Sequence, residues 1–394
     1  MAAQHTDFDV VISGAGLVGL ALAAVLGRDG FRTAILEARE PVRDWPTDTI
    51  DLRVYAISRA SQRLLERLGA WSVIEPLAQP YRDMQVWDAG SEGEIHFDSA
   101  ELGEPDLGHI IESRVIERSL LDVVESLDKV TRFCPARLQG FEVGDGEPEI
   151  VLEDGTPLTA GLLVGADGKQ SRVRDLAGIH VQVSDYAQQA LVAVVTTEKP
   201  HQETAWQRFL PSGPLAFLPL HDGRCSIVWS ATSDKASALP ALDDEAFCHA
   251  LGEAFAYRLG HITHVGERAL FPLQGQSAKN YVQPGLALVG DAAHVVHPLA
   301  GQGVNLGLKD VQALAETLHS AREQGRKPGA FSVLRRYERT RRGDNQLTLA
   351  TMSGFKQLFG STLAPVCAVR GLGLKLFDRA TPLKTQLMRA AMGL

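Results

Sequence analysis

The sequence predicts an α/β fold: a discontinuous Rossmann-like domain, an inserted antiparallel sheet and a C-terminal helical region. Three observations predict it. Residues 8–37 run strand, glycine turn, helix, strand, which is a βαβ opening. A second strand, acid, glycine turn and helix follow one another at 290–310, far from the N-terminus. Between them, 181–275 is rich in β-branched and aromatic residues and is broken by turns such as Pro211-Ser212-Gly213 and His221-Asp222-Gly223, the pattern of a separate antiparallel sheet. At 394 residues, the chain calls for one large or two medium domains.

The elements follow in order. Residues 8–13 are a short apolar strand, 17–27 an Ala/Leu-rich helix, and 33–36 a strand ending at Glu37. Residues 58–68 have helical spacing, with Leu64, Leu65 and Leu68 apolar and Gly69 as the stop. Residues 84–97 alternate and read as sheet, and 113–127 read as helix. Residues 137–158 read as two strands around Gly144-Asp145-Gly146. Residues 162–164 are a buried strand ending at Gly165-Ala166-Asp167-Gly168, and 286–289 are another, ending at Gly290. Residues 303–345 are helical and charged. The expected division is 1–80, 100–180 and 276–345 for the nucleotide-type domain, 81–99 and 181–275 for the β-rich domain, and 346–394 for the C-terminal helices.

Bulk properties exclude several classes. Charged residues at 22% and hydrophobic ones at 45% describe an ordinary folded protein. A net charge of −9 and the lack of a basic, aromatic-interleaved strip argue against nucleic acid as a partner. Cys134, Cys225, Cys248 and Cys367 stand far apart without metal-like spacing, which suits reduced thiols in a cytosolic protein and no metal. Residues 10–27 carry no charge and approach the length of a membrane span, but Gly14, Gly16, Gly19 and Gly27 and the preceding Asp7 and Asp9 suit a strand–turn–helix instead. From 345 onward, six bases face the single acid Asp378. There Val369, Leu372, Leu376, Leu383 and Leu387 fall at helical spacing among bases, so the tail is read either as a membrane-surface helix or as a helix packed on its own domain or a subunit.

Three motifs carry the chemistry. In Gly14-Ala15-Gly16-Leu17-Val18-Gly19, Gly14 permits the tight turn, Gly16 lets the backbone approach a pyrophosphate, and Gly19 allows helix–sheet contact. The amides and positive end of the helix then face the phosphates. Glu37 is placed to accept from ribose hydroxyls and disfavours a 2′-phosphate, so the adenosine is FAD-like or NAD-like. In the second motif Asp167 either meets the pyrophosphate indirectly or fixes its loop, and Arg172 and Arg174 are structural or phosphate-facing. In the third, Asp291 suits a ribityl hydroxyl, and the backbone of Gly301-Gln302-Gly303 suits the pyrimidine edge of a flavin. The helix beginning near Val304 points its positive end there. His294 and His297 flank this motif, either as bases for a phenol or as turn-anchoring histidines. The cofactor chemistry requires no protein nucleophile.

Together these motifs resemble the class A flavoprotein monooxygenases of the para-hydroxybenzoate hydroxylase fold, and within them the ubiquinone-biosynthesis hydroxylases of the UbiH/UbiF/VisC group. Further segments carry the resemblance: Asp51-Leu-Arg53, Ala56-Ile-Ser58, Met84-Gln-Val-Trp87-Asp88, Leu107-Gly108-His-Ile-Ile-Glu112, residues 297–307, and the ending from Leu383. It covers essentially the whole chain and is nearer the ring C5/C6 hydroxylases. The resemblance implies bound FAD, reduced by NAD(P)H or another donor, and O2 delivered from a flavin C4a-hydroperoxide to the ring of a polyprenylated phenol. It also implies that Arg53 and the neighbourhood of Glu112 lie along the FAD and Asn305 lies near the flavin ring. Where relatives carry Glu-Asn, this chain has Glu112-Ser113-Arg114. The expected location is the cytoplasm, with peripheral contact at the inner face of the membrane, within a biosynthetic complex or a homo-oligomer. The competing functions are hydroxylation of another aromatic substrate, a flavin-dependent reductase on the same fold and a non-enzymatic flavin scaffold. A halogenase would need a Trp-x-Trp-x-Ile-Pro motif, and Trp229 stands alone.

Overall fold

The computed structural model describes residues 6–46, 49–296, 302–361 and 363–394. Its first sheet has six strands in the order Val282–Gln283, Leu286–Leu288, Leu163–Gly165, Val10–Ser13, Thr33–Leu36, Val130–Phe133. All neighbours pair in parallel except the first two, which are antiparallel. The central strands are buried along their whole length. Their near-continuous Val/Ile/Leu runs are what a parallel sheet covered on both faces requires. Helix Leu17–Arg28 packs against helices Ser113–Glu125 and Gln302–Glu323 over this sheet. The chain leaves Val10–Ser13 toward Thr33–Leu36 on one side, while Leu163–Gly165 lies on the other. The carboxyl end of Val10–Ser13 is therefore a topological switch point, where open α/β sheets take their ligands.

The second sheet has eight strands: His294–Val295, Ile262–Ala278, Val181–Thr197, Cys225–Thr232, Gly213–Pro219, Thr204–Leu210, Asp83–Asp88 and Glu94–Asp98. It is antiparallel apart from the pairing of Thr204–Leu210 with Asp83–Asp88. Leu191, Leu215, Phe217, Ile227, Phe247 and Phe255 fill a core of their own on one face, separate from that of the first sheet. The strand His294–Val295 pairs with Ser277 and Gln276. The segment after Leu286–Leu288 thus leaves the first sheet and at once joins the edge of the second.

Among the described residues, two three-stranded sheets complete the β-structure. Leu138–Gly144 and Glu147–Leu152 form the expected hairpin, and Pro157–Thr159 extends it. Val54–Ser58, Gly108–Glu112 and Gln79–Tyr81 form a sheet that the sequence pattern does not announce. The helix expected over 58–68 runs from Arg59 to Arg67, with Ser58 as its cap accepting from the Ser61 amide. Helix Phe331–Gly360 runs unbroken through the domain boundary expected at 346. Helices Ala364–Arg379 and Thr381–Met392 follow and pack against Glu94–Asp98 and the turn Ser99–Leu102. Arg370 of the first is paired with Asp88 at 2.7 Å, both side chains being almost wholly buried.

Candidate active site

The glycine turn after Val10–Ser13 is built by close contacts. Gly14 has φ +104°, and a Cβ there would lie 2.6 Å from the Ala166 carbonyl oxygen. A Cβ on Gly19 would lie 1.9 Å from the Gly14 oxygen, so the turn and the first helical turn nest without side chains. Gly16 differs, since a Cβ there would meet no atom within 4 Å. It borders open space beside the first amides of helix Leu17–Arg28, whose cap residue Gly16 has no side chain to hold them. Amides at such a turn are an anion seat. Leu17 is buried at the start of this helix. Glu37 stands at the end of the neighbouring strand, its Oε2 accepting from the Ala15 amide at 2.9 Å. The residues present therefore fit a dinucleotide.

The second and third motifs meet this turn from the other side. Asp167 accepts from Ser171 Oγ at 2.5 Å and from the Val173 amide at 3.1 Å. Of its two expected roles, it thus takes that of fixing the loop. Arg172 donates to the carbonyls of Leu138 and Gln139, and buried Arg174 donates to that of Ala292. Both arginines are structural, and the phosphate-facing alternative is not what the geometry supports. Gly290 and Gly307 form a notch for Val18, with Cβ positions 3.2 and 2.7 Å from Val18 Cγ2. The two halves of the site, about 270 to 290 residues apart in sequence, are joined at this contact.

Asp291 is exposed to solvent yet ringed by protein. Desolvation raises its carboxyl pKa, while His294, Arg53 and Lys169 oppose the rise. Asn305 is buried and committed: its Nδ2 donates to the Ala56 carbonyl at 2.8 Å, and its Oδ1 accepts from the Ser58 amide and Ser61 Oγ. It fastens helix Gln302–Glu323 to strand Val54–Ser58. Glu112 is likewise buried and committed, to the Asp51 amide at 2.6 Å and to Arg114 at 2.7 Å. Arg53 is exposed and near Asp291. Gly303 lies in the first turn of helix Gln302–Glu323. His297 and Gly301 lie outside the described residues, as does the side chain of Gln302.

His294 is 1% exposed. Its Nε2 is 2.5 Å from Asp310 Oδ2, and its Nδ1 is buried with no hydrogen-bond partner among the described residues. Asp310 also accepts from the Gly290 amide at 3.0 Å and from Arg341 Nε at 2.7 Å. Burial pushes the Asp310 carboxyl up, but His294 and Arg341 outweigh it and hold it below the ordinary value. A base for a phenol must reach the phenol. His294 is instead buried against Asp310, which also accepts from the Gly290 amide at the start of the turn that carries Asp291.

Residues 7–349 match the family model for the FAD binding domain. The chain belongs to the class A FAD-dependent monooxygenases. This monooxygenase is 39% identical to 3-demethoxyubiquinol 3-hydroxylase of Escherichia coli (strain K12), over the whole of both chains. It is 40% identical to ubiquinone hydroxylase UbiL of Rhodospirillum rubrum, over 98% of this chain and 89% of that one. Its fold matches the crystal structure of p-nitrophenol 4-monooxygenase PnpA from Pseudomonas putida DLL-E4, with TM-score 0.79, 19% identity and 99% of both chains covered. Class A monooxygenases use FAD, NAD(P)H and O2.

Two groups of this monooxygenase's site carry no motif in the sequence. Glu117, on helix Ser113–Glu125, turns its carboxylate to Ser113 Oγ and to the Leu17 amide. Asp310 and Arg341 sit below the flavin half. The spacing of Glu117 four residues after Ser113, at the start of a helix, was the one sequence signal available for it. When bound, the flavin supplies the oxygen chemistry.

Proposed function

We propose that this monooxygenase hydroxylates the aromatic ring of a polyprenylated phenol in ubiquinone biosynthesis. The observation that carries the reading is the 39% identity to 3-demethoxyubiquinol 3-hydroxylase over 100% of both chains, because that span includes the second sheet as well as the FAD half. In this reading Gly14, Gly16, Leu17, Val18, Gly19 and Glu37 hold the adenosine and pyrophosphate. Arg53, Asp291, Gly301, Gln302, Gly303 and Asn305 serve the ribityl and ring, directly or by position, while Glu112 and Asp167 shape the loops. Residues 1–80, 100–180 and 276–345 form the cofactor part, and 81–99 with 181–275 form the substrate part.

A prenylated substrate also gives a use for the C-terminal surface. Val369, Leu372 and Leu376 are 72%, 59% and 57% exposed, and Leu383 and Leu387 are 55% and 47% exposed. Arg379 and Arg389 are exposed on the same two helices. An apolar stripe flanked by cations suits peripheral contact with an anionic bilayer. No helix among the described residues is long and apolar enough to cross one.

The test is expression in strains that each lack one ring hydroxylase of the pathway. One accumulated intermediate is expected to disappear, with one atom of labelled O2 in the product. Failure to clear an intermediate in every strain would overturn the assignment. Product formation without the label would leave a reductase.

A further inference from the structure

Helix Ser113–Glu125 lies against helix Leu17–Arg28. Glu117 projects from its second turn, accepting from Ser113 Oγ at 3.1 Å, and it hydrogen-bonds the Leu17 backbone amide. That amide belongs to the helix end beside Gly16, the seat that the proposed function gives the pyrophosphate of FAD. The Ala15 amide is held by Glu37, so both flanks of the turn carry a carboxylate. We propose that Glu117 couples FAD binding to proton uptake: its carboxylate holds the Leu17 amide in the free protein, and the pyrophosphate displaces it as the neutral acid.

The surroundings support a proton rather than a new cation partner. Arg53, from the segment before strand Val54–Ser58, is the cation that faces Glu117, and Asp51 of the same segment opposes it. The Tyr55 phenol also faces Glu117. Arg114 is committed to Glu112 at 2.7 Å, and Glu112 to the Asp51 amide. Arg53 must also serve Asp291. A pyrophosphate adds negative charge beside an already acidic cluster. Desolvation already raises the Glu117 carboxyl pKa in the free protein, and an adjacent anion raises it further. Neutralising Glu117 is the change that needs no rearrangement of the helix.

The experiment is titration of the full-length apoprotein with FAD by calorimetry, in buffers of different ionisation enthalpy, from about pH 5.5 to 8.5. Uptake of up to about one proton is expected, with affinity falling up to about tenfold per pH unit above the Glu117 pKa. Glu117→Gln should abolish this uptake, flatten the slope and bind FAD at least as tightly at the alkaline end. Asp291 remains in the variant, so the difference between the two proteins isolates Glu117. A wild-type affinity that is flat with pH, without proton uptake, overturns the proposal. So does a variant that keeps the slope, or one that loses affinity at every pH, which would make Glu117 a direct ligand of the cofactor. Melting of the apo variant reports its folding, and if it does not fold, Asp291→Asn, which keeps Glu117, is titrated in its place: uptake that persists there supports Glu117, and uptake that vanishes overturns the proposal. No substrate enters the measurement, so its failure leaves the polyprenyl phenol assignment untouched.

Discussion

Gly16 and Gly19 belong to one turn, yet a methyl group should harm them in different ways. At Gly19 it would lie 1.9 Å from the Gly14 oxygen, a backbone atom that cannot yield, so Gly19→Ala should lower the melting temperature of the apoprotein itself. At Gly16 it meets no protein atom within 4 Å. Gly16→Ala should leave the apoprotein's melting unchanged and weaken FAD roughly 10- to 100-fold, the overlap falling on the pyrophosphate alone. An apoprotein destabilised by both changes would contradict this division. Asp291 gives the opposite trade. Its pKa is raised in the free protein, chiefly by desolvation, so the folded state favours the protonated form. That contribution to stability is complete below the ordinary carboxylate value and is lost as pH rises through the higher folded value. Asp291→Asn should therefore melt at or above wild type at neutral pH and lose that advantage as pH falls through the carboxylate range. It should bind FAD more weakly throughout. Melting curves with pH, beside FAD titrations, check both halves. The glycines and Glu37 were legible in the sequence because their spacing records steric needs. Glu117, Asp310 and Arg341 were not, because their role depends on which helices pack beside the turn.

At the scale of elements, the C-terminal helix Ala364–Arg379 is fastened by a buried ion pair as well as by the packing of Leu374. Arg370 donates to both oxygens of Asp88, and also to the Leu358 and Ser361 carbonyls. Asp88→Ala leaves that guanidinium buried without its counter-charge, which costs about 3–5 kcal/mol. The expected outcome is a lower melting temperature and early proteolytic loss of residues beyond 360. Asp88→Leu with Arg370→Met should recover part of the stability, since an apolar pair of similar volume removes the stranded charge. Equal loss in the single and double variants would show that the pair is not the fastening. Strands with one environment were readable: Thr33–Leu36 is buried on both faces, and Ala34, Ile35 and Leu36 are apolar. Val54–Ser58 was not, because it is partly covered on both faces and mixes Tyr, Ala and Ser, so neither a period of two nor a continuous apolar run emerges. Helix Phe331–Gly360 runs through the change in composition at 346, so that change does not mark a helix end.

At the scale of the molecule, two distant stretches of chain close on one side chain beside the candidate site. Val18 stands in the first turn of helix Leu17–Arg28, and Gly290 and Gly307 bring strand end and helix Gln302–Glu323 against it. Beneath them, Asp310 ties the Gly290 amide to His294 and Arg341, so the notch cannot open by moving Gly290 alone. Gly307→Ala places a methyl 2.7 Å from Val18 Cγ2. Overpacking of this kind costs about 1–3 kcal/mol. It should appear as a lower melting temperature together with weaker FAD binding, because the phosphate half and the flavin half are pushed apart. Val18→Ala alone removes two methyl groups and should be mildly destabilising. If the halves are coupled through this contact, the double variant Val18→Ala/Gly307→Ala should bind FAD better than Gly307→Ala alone, with an interaction of about 0.5–3 kcal/mol in the cycle. Additive effects would mean that the two halves are aligned by the sheets and that Val18 merely fills space. Coupling would mean that a single valine, 272 residues from Gly290 in sequence, sets the distance between the cofactor's phosphates and its reactive ring.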